Sequence, residues 1–256
     1  MIEVKDLCGG YKNKEVLKNV SFLIQNGKIN VIAGPNGCGK STLIKSMAGI
    51  LPISSGDVLI DGDSIKTMST QKTAQKVAYL QQNRSVPDIT AMKMVLHGRF
   101  PYLGYPRCYR KSDIDIAESV LEKLDISQYK NKSLKTLSGG TIQKAYIGMI
   151  LAQDTGNILL DEPTTFLDIS MQIQLIKQIR ILAEMGKAVV LVLHDLAMAM
   201  QTADNIIIMK NGEIIDSGEP EKIFQTGIID EVFGIKLNRF YVNDVWQYYY
   251  DTDFRK

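Results

Sequence analysis

The chain has 256 residues, 45% of them hydrophobic, with 30 basic and 28 acidic side chains and a formal charge of +2. That composition suits one large buried core and excludes a disordered or fibrous protein, while the near-neutral balance gives no global attraction to nucleic acid or anionic lipid. The longest apolar runs, such as Ala188 to Leu193, fall far short of the roughly 18–20 residues that cross a bilayer, and Met1 to Asp6 offers neither a basic leader nor an apolar signal core, so a soluble, unexported chain is expected.

Residues 1 to 33 alternate apolar and polar positions around Gly9-Gly10 and Asn26-Gly27, the pattern of short strands joined by turns. Tyr11, following the first glycine pair, reads either as a core residue or as an aromatic face for an adenine ring. Ile29 to Ala33 reads as a buried strand and Ser41 to Ala48 as a helix. Between them Gly34-Pro35-Asn36-Gly37-Cys38-Gly39-Lys40-Ser41-Thr42 matches G-x-x-x-x-G-K-[ST] at every fixed position. Gly34, Gly37 and Gly39 open dihedrals closed to other residues, so successive N–H groups can turn towards an anion, and the helix adds its positive end. Lys40 can then reach β- and γ-phosphates, and the Ser41 hydroxyl can ligate magnesium. The loop by itself specifies a nucleoside triphosphate, not a function. Cys38 lies inside this cradle near a helix N-terminus, where a thiol pKa tends to be lowered. The three cysteines, Cys8, Cys38 and Cys108, lack metal-ligand spacing and are expected as reduced thiols.

Ser54 to Gly62 reads as turn, strand and turn, and Val77 to Leu80 as a strand ending at Gln81-Gln82. Gln82 can offer an amide oxygen to a metal or touch an attacking water, or it is a surface glutamine. His97 to Arg107 mixes aromatic, basic, glycine and proline residues, the composition of an exposed loop, and reads as a partner-protein surface ahead of a base-stacking one. Ser112 with Asp115 resembles a capping pair opening a helix to about Leu124, with Ile116, Val120 and Leu124 on one face. Leu137-Ser138-Gly139-Gly140 opens a further helix with Ile147, Ile150 and Leu151 facing a core. Ser138 is a good N-cap, and Gly139 and Gly140 keep the helix end bare, a second candidate anion site.

Asn157 to Pro163 reads as a buried strand stopping at Asp161 and Glu162, since proline cannot extend a ladder. Carboxylates at the carboxyl end of a parallel strand stand beside the phosphate loop. Asp161 suits magnesium, and Glu162 suits orienting and deprotonating a water. Thr164 to Asp168 leads into an amphipathic helix from Ile169 to Met185, closed by Gly186. Ala188 to Leu193 is a buried strand ending at His194-Asp195, and His194 there reads as a γ-phosphate contact. Ile206 to Met209 and Glu213 to Ile215 flank Lys210-Asn211-Gly212, a hairpin by its Asn-Gly turn. The tail from about Glu219, which ends near Tyr248-Tyr249-Tyr250, is too short for a second enzymatic domain.

The phosphate loop, Gln82, Leu-Ser-Gly-Gly, Leu-Leu-Asp-Glu-Pro-Thr, Leu-Asp and a strand-terminal histidine, in this order, resemble the ATP-binding cassette (ABC) family across residues 1 to about 218. The resemblance implies an α/β P-loop NTPase fold with a parallel-sheet core. Residues 1–82 would hold an antiparallel sheet and the first part of the core, 83–153 a helical subdomain, 154–218 the rest of the core and 219–256 a C-terminal tail. By the same resemblance Tyr11 is the adenine-stacking aromatic, Lys40, Ser41 and Thr42 the Walker A end, and Gln82 the Q-loop residue. Ser138, Gly139 and Gly140 are the signature, Asp161 and Glu162 the Walker B pair, Asp168 the D-loop acid and His194 the switch histidine, acting on ATP and Mg2+. Thr141 departs from the glutamine usual after Leu-Ser-Gly-Gly, and Gln81 from the proline usual before the Q-loop glutamine.

Gly98 to Gly104 and Thr165 to Ser170 look like the ATPase subunits of importers for ferric siderophores, haem and cobalamin. That implies a head-to-tail homodimer on two membrane permease subunits at the cytoplasmic face of the membrane, an extracytoplasmic substrate-binding protein and no nucleic acid. Two other classes compete. A DNA-repair or chromosome-organising ATPase would need a long coiled coil between Gln82 and Ser138, where no heptads occur. A soluble iron–sulfur assembly ATPase is the alternative left open by the motifs.

Overall fold

The computed structural model describes residues 1–11, 14–82, 85–165 and 167–251. Asn83, the expected start of the helical subdomain, Phe166 of the Thr165 to Ser170 motif and the last five residues of the expected tail lie outside them.

Strands β1 (Ile2–Tyr11) and β2 (Lys14–Ile24) pair antiparallel, with Ile2 opposite Ile24 and Tyr11 opposite Lys14. Gly9-Gly10 is thus inside a long strand and not at a turn. A Cβ on Gly10 would come within 2.1 Å of the Lys14 carbonyl oxygen, so glycine serves close strand approach. After β3 (Ile29–Ala33) and α1 (Lys40–Met47), β4 (Ile53–Ile60) returns to pair with β1, and β5 (Asp63–Ser64) forms its edge. Ser54-Ser55-Gly56, expected as a turn, belongs to β4. The register against β1 shifts there between Lys5 and Cys8, a bulge at which Gly56 takes φ 73°.

Next come α2 (Thr70–Lys76), β6 (Val77–Leu80), α3 (Ala91–His97), α4 (Lys111–Lys123) and α5 (Gly139–Gln153). They are followed by β7 (Asn157–Asp161), α6 (Ile169–Glu184), β8 (Ala188–Val192) and α7 (Leu196–Thr202). A hairpin of β9 (Asn205–Lys210) and β10 (Glu213–Gly218) turns at Asn211-Gly212, with φ 53° and 88°, as its sequence predicts. The tail is folded: α8 (Pro220–Thr226) and α9 (Ile228–Phe233) precede a hairpin of β11 (Leu237–Val242) and β12 (Val245–Tyr250).

The central sheet has the order β10-β9-β3-β8-β7-β6, parallel except for β10, and β2-β1-β4-β5 is a separate antiparallel sheet. Side-chain alternation along β8 explains its unbroken apolar run: Val190 and Val192 join one core with Leu17, Ile32 and Leu43, whereas Val189 and Leu191 join another with Val31, Leu175 and Ile179. The second core continues into α3, α4 and α5 through Val95, Val120, Leu121 and Ile147.

His97 to Arg107 is not the uniformly exposed loop its composition predicts. Arg99 is largely buried, donating to Asp113 Oδ1 at 3.0 Å and to the Ala152 carbonyl at 2.9 Å, and Leu103 is buried too. Phe100 and Tyr105 stay exposed. The start of α4 is also displaced from expectation: Asp113, not Asp115, accepts the Arg110 N–H, so Ser112 already lies in the helix. Among the described residues no helix is long and apolar enough to cross a membrane.

Candidate active site

The phosphate loop joins β3 to α1 as read from the sequence. Gly39 precedes α1 at φ 111°, a backbone conformation closed to residues with a Cβ, and no side chain caps the helix, so its first N–H groups face the loop uncovered. Lys40 is buried, and its Nζ donates to the Gly34 and Pro35 carbonyls at 2.7 and 3.0 Å. The ammonium is therefore held inside the loop by neutral acceptors that an anion can replace. Cys38 is buried as well, and burial pushes its thiol pKa up in spite of Lys40 nearby. The expectation of a lowered thiol pKa fails there: desolvation outweighs the cation.

Because β7 and β8 are neighbours with Asp161 opposite Val192, the residues just beyond their ends converge. His194 Nε2 lies 2.5 Å from Glu162 Oε1, and Gln82, just past β6, donates Nε2 to Glu162 Oε2. Thr165 Oγ1 adds a contact to Oε2 at 3.4 Å. Glu162 itself is buried, at φ 50°, with its N–H on the Val192 carbonyl at 3.2 Å. Beside it, Asp161 accepts from Ser41 Oγ at 3.3 Å and from the Tyr79 hydroxyl at 3.5 Å. Burial raises the Asp161 pKa, the Glu162 charge adds to this and the Ser41 hydrogen bond opposes it.

A cleft of ≈ 680 Å³ brings together Tyr11, Asn36, Gly37, Gly39, Lys40, Ser41, Thr42, Glu162 and His194, a size that suits a nucleotide. Tyr11 is half exposed at its rim, which favours the aromatic-face reading over the core reading. Gly34, Pro35 and Cys38 complete the loop behind Lys40, Asp161 borders the cleft through Ser41, and Gln82 borders it through Glu162. Sequence reading missed the site role of Tyr79, whose partner lies 82 residues away, and that of the Asn211-Gly212 turn, read as a hairpin turn and found lining the cleft. No local signal marks either.

The Ser138 helix end does not line this cleft, and neither does Asp168. Ser138 caps α5 by accepting the Thr141 N–H, its hydroxyl lies 2.9 Å from Thr141 Oγ1, and Ser138 and Gly139 are exposed. Gly140 packs under the Met171 side chain. Asp168 caps α6 through the Met171 N–H at 2.8 Å, which lowers its pKa. The Ser138 helix end thus stands apart from the phosphate-loop cleft.

The ABC transporter family profile matches residues 17–165. The chain is 37% identical over 234 residues to the ferric enterobactin transport ATP-binding protein of Escherichia coli K12, covering 91% of this chain and 86% of that protein. It is 36% identical over 234 residues to a petrobactin import ATP-binding protein of Bacillus anthracis, with the same coverage of 91% and 86%. Among solved structures, a dimeric post-hydrolysis ATP-binding cassette bound to ADP and phosphate superposes with a TM-score of 0.75 at 27% identity, over 86% of this chain and 99% of that one.

Proposed function

The chain belongs to the ABC transporter family as an ATP-hydrolysing subunit, and from that premise we propose that it powers import of a ferric siderophore, haem or cobalamin type of cargo through separate permease subunits. The names of both relatives, one for ferric enterobactin transport and one for petrobactin import, support a transport role over a soluble assembly role. The observation that carries the hydrolytic reading is Glu162, buried and held between Gln82 and His194 at the end of the phosphate-loop cleft.

In the proposed reaction the adenine lies on Tyr11, and the triphosphate enters the loop between Gly34 and Thr42. Lys40 exchanges the Gly34 and Pro35 carbonyls for β- and γ-phosphate oxygens. Glu162 accepts a proton from water as the water oxygen bonds to the γ-phosphorus and the bridging oxygen leaves with ADP. His194 steadies the Glu162 carboxylate and meets the γ-phosphate. The hard oxygen donors of Ser41, Asp161 and Gln82 suit Mg2+, which would neutralise charge on the β- and γ-phosphates when bound.

The site is half complete in one chain. We infer that a second copy, arranged head to tail, brings its Ser138, Gly139, Gly140 and Asp168 across the phosphates, so that two ATP molecules are enclosed at a two-fold interface. The dimer would sit on permease subunits at the cytoplasmic membrane face and answer to an extracytoplasmic substrate-binding protein. Reconstitution of the chain with its permease in proteoliposomes tests the assignment. Binding protein loaded with a ferric siderophore, haem or cobalamin is expected to raise ATPase turnover and drive uptake, and Glu162→Gln to stop both. ATPase indifferent to every such loaded protein would overturn the cargo reading.

A further inference from the structure

The C-terminal hairpin reaches back to the strand end that carries His194. It is held firmly at its base: Tyr248 is buried edge-on to Phe224 at 5.7 Å, and the Arg239 guanidinium lies between Phe224 and Trp246, 4.5 and 3.9 Å from the ring centres. From this base the Tyr250 hydroxyl enters the first turn of α7. It accepts the Ala197 N–H at 3.1 Å and donates to Asp195 Oδ1 at 3.0 Å, the same oxygen that accepts the Met198 N–H at 3.1 Å. Gln201 Nε2 donates to Gln247 Oε1 at 2.8 Å one turn on. Two first-turn N–H groups, which α7 cannot satisfy internally, therefore end on a hydroxyl and a carboxylate fixed by a residue more than fifty positions away in sequence.

Asp195 directly follows His194, whose imidazole is half exposed and meets Glu162 at 2.5 Å. The Tyr250 hydroxyl thus fastens the chain one residue beyond that imidazole. We propose that Tyr250 is a positioning residue for ATP hydrolysis, acting through Asp195 to hold His194 against Glu162. The inference rests on His194 serving hydrolysis, and it makes the hairpin a second input to the catalytic histidine, independent of the nucleotide.

Tyr250→Phe keeps the ring and removes only the hydroxyl. In the full chain, kcat for MgATP is expected to fall roughly tenfold, short of the ~10²-fold that a misplacement of about 1 Å can cost, with KM nearly unchanged. The chain has 2 histidines, His97 and His194, so their ring resonances can be told apart by NMR at fixed pH. The His194 signal should move in Tyr250→Phe and the His97 signal should not. Wild-type kcat in this variant, or a fall in kcat with an unmoved His194 signal, overturns the positioning role. A His194→Ala protein with wild-type turnover, alongside a His194 signal that still responds to Tyr250→Phe, would instead remove the catalytic reading of His194 and leave the Tyr250–Asp195 fastening standing.

Discussion

Glu162 and His194 meet at 2.5 Å because β7 and β8 are neighbouring parallel strands whose ends hold them side by side. Glu162 adopts φ 50° to do so, a left-handed conformation that costs a β-carbon residue roughly 1–3 kcal/mol and persists only where its surroundings impose it. The Val192 carbonyl and the Gln82 amide are those surroundings. His194→Ala is therefore expected to lower kcat by at least ~10²-fold while ATP binding is retained. Steady-state kinetics with a binding titration checks this, and turnover within about threefold of wild type would contradict it.

Arg99 separates folding from coupling on the segment that resembles an importer surface. The largely buried Arg99–Asp113 pair joins α4 to the start of that segment, so Arg99→Ala removes the carboxylate's ion-pair partner, leaves it only the Arg110 N–H and should cost about 3 kcal/mol in urea unfolding. Burial alone would raise the Asp113 pKa, but the Arg110 N–H and the Arg99 guanidinium outweigh it and lower it. A lowered carboxyl pKa adds stability above the unfolded value of ~3.9 and loses it as pH falls through the folded value. The wild-type advantage over Arg99→Ala should accordingly shrink in acid. Exposed Phe100 carries the coupling test instead: Phe100→Ala should preserve stability and basal ATPase while uptake by the assembled complex falls. Equal loss of ATPase and uptake would contradict it.

Elements set by local chemistry were legible in the sequence. The phosphate loop, the Asn211-Gly212 hairpin, the Ser138 cap and the apolar strand before Glu162 each depend on residues within a few positions of one another. Misreadings arose where one residue type serves two ends. Gly10 and Gly56 read as turn residues, yet in strands they permit close approach and a bulge. Arg99 reads as a loop cation, yet it finds Asp113 across a helix start, and Tyr250 reads as a tail aromatic, yet it caps α7. Such pairings are fixed by tertiary packing, and periodicity carries no trace of them.

Cys38 gives a prediction set by burial. Its thiol is enclosed by the phosphate loop with its pKa raised, so alkylation near neutral pH should be slow, ATP should slow it further, and the modified protein should lose turnover through bulk. Cys38→Ala should remain active, because the thiol offers no phosphate ligand. Mass spectrometry with a turnover assay measures both, and an inactive Cys38→Ala or a fully modified, active wild type would contradict the reading.

In the proposed dimer one chain supplies half a site twice, with the phosphate loop and the Ser138 helix end completing each other between copies. Removing the basicity of Glu162 without changing its shape should stop hydrolysis and leave binding intact, trapping the ATP-bound assembly. Size-exclusion chromatography of Glu162→Gln with saturating ATP and magnesium is the direct measurement. An ATP-dependent dimer that disperses when Ser138→Arg is added is the predicted result, whereas a Glu162→Gln protein that binds ATP yet stays monomeric, or a dimer indifferent to Ser138→Arg, would contradict the composite site.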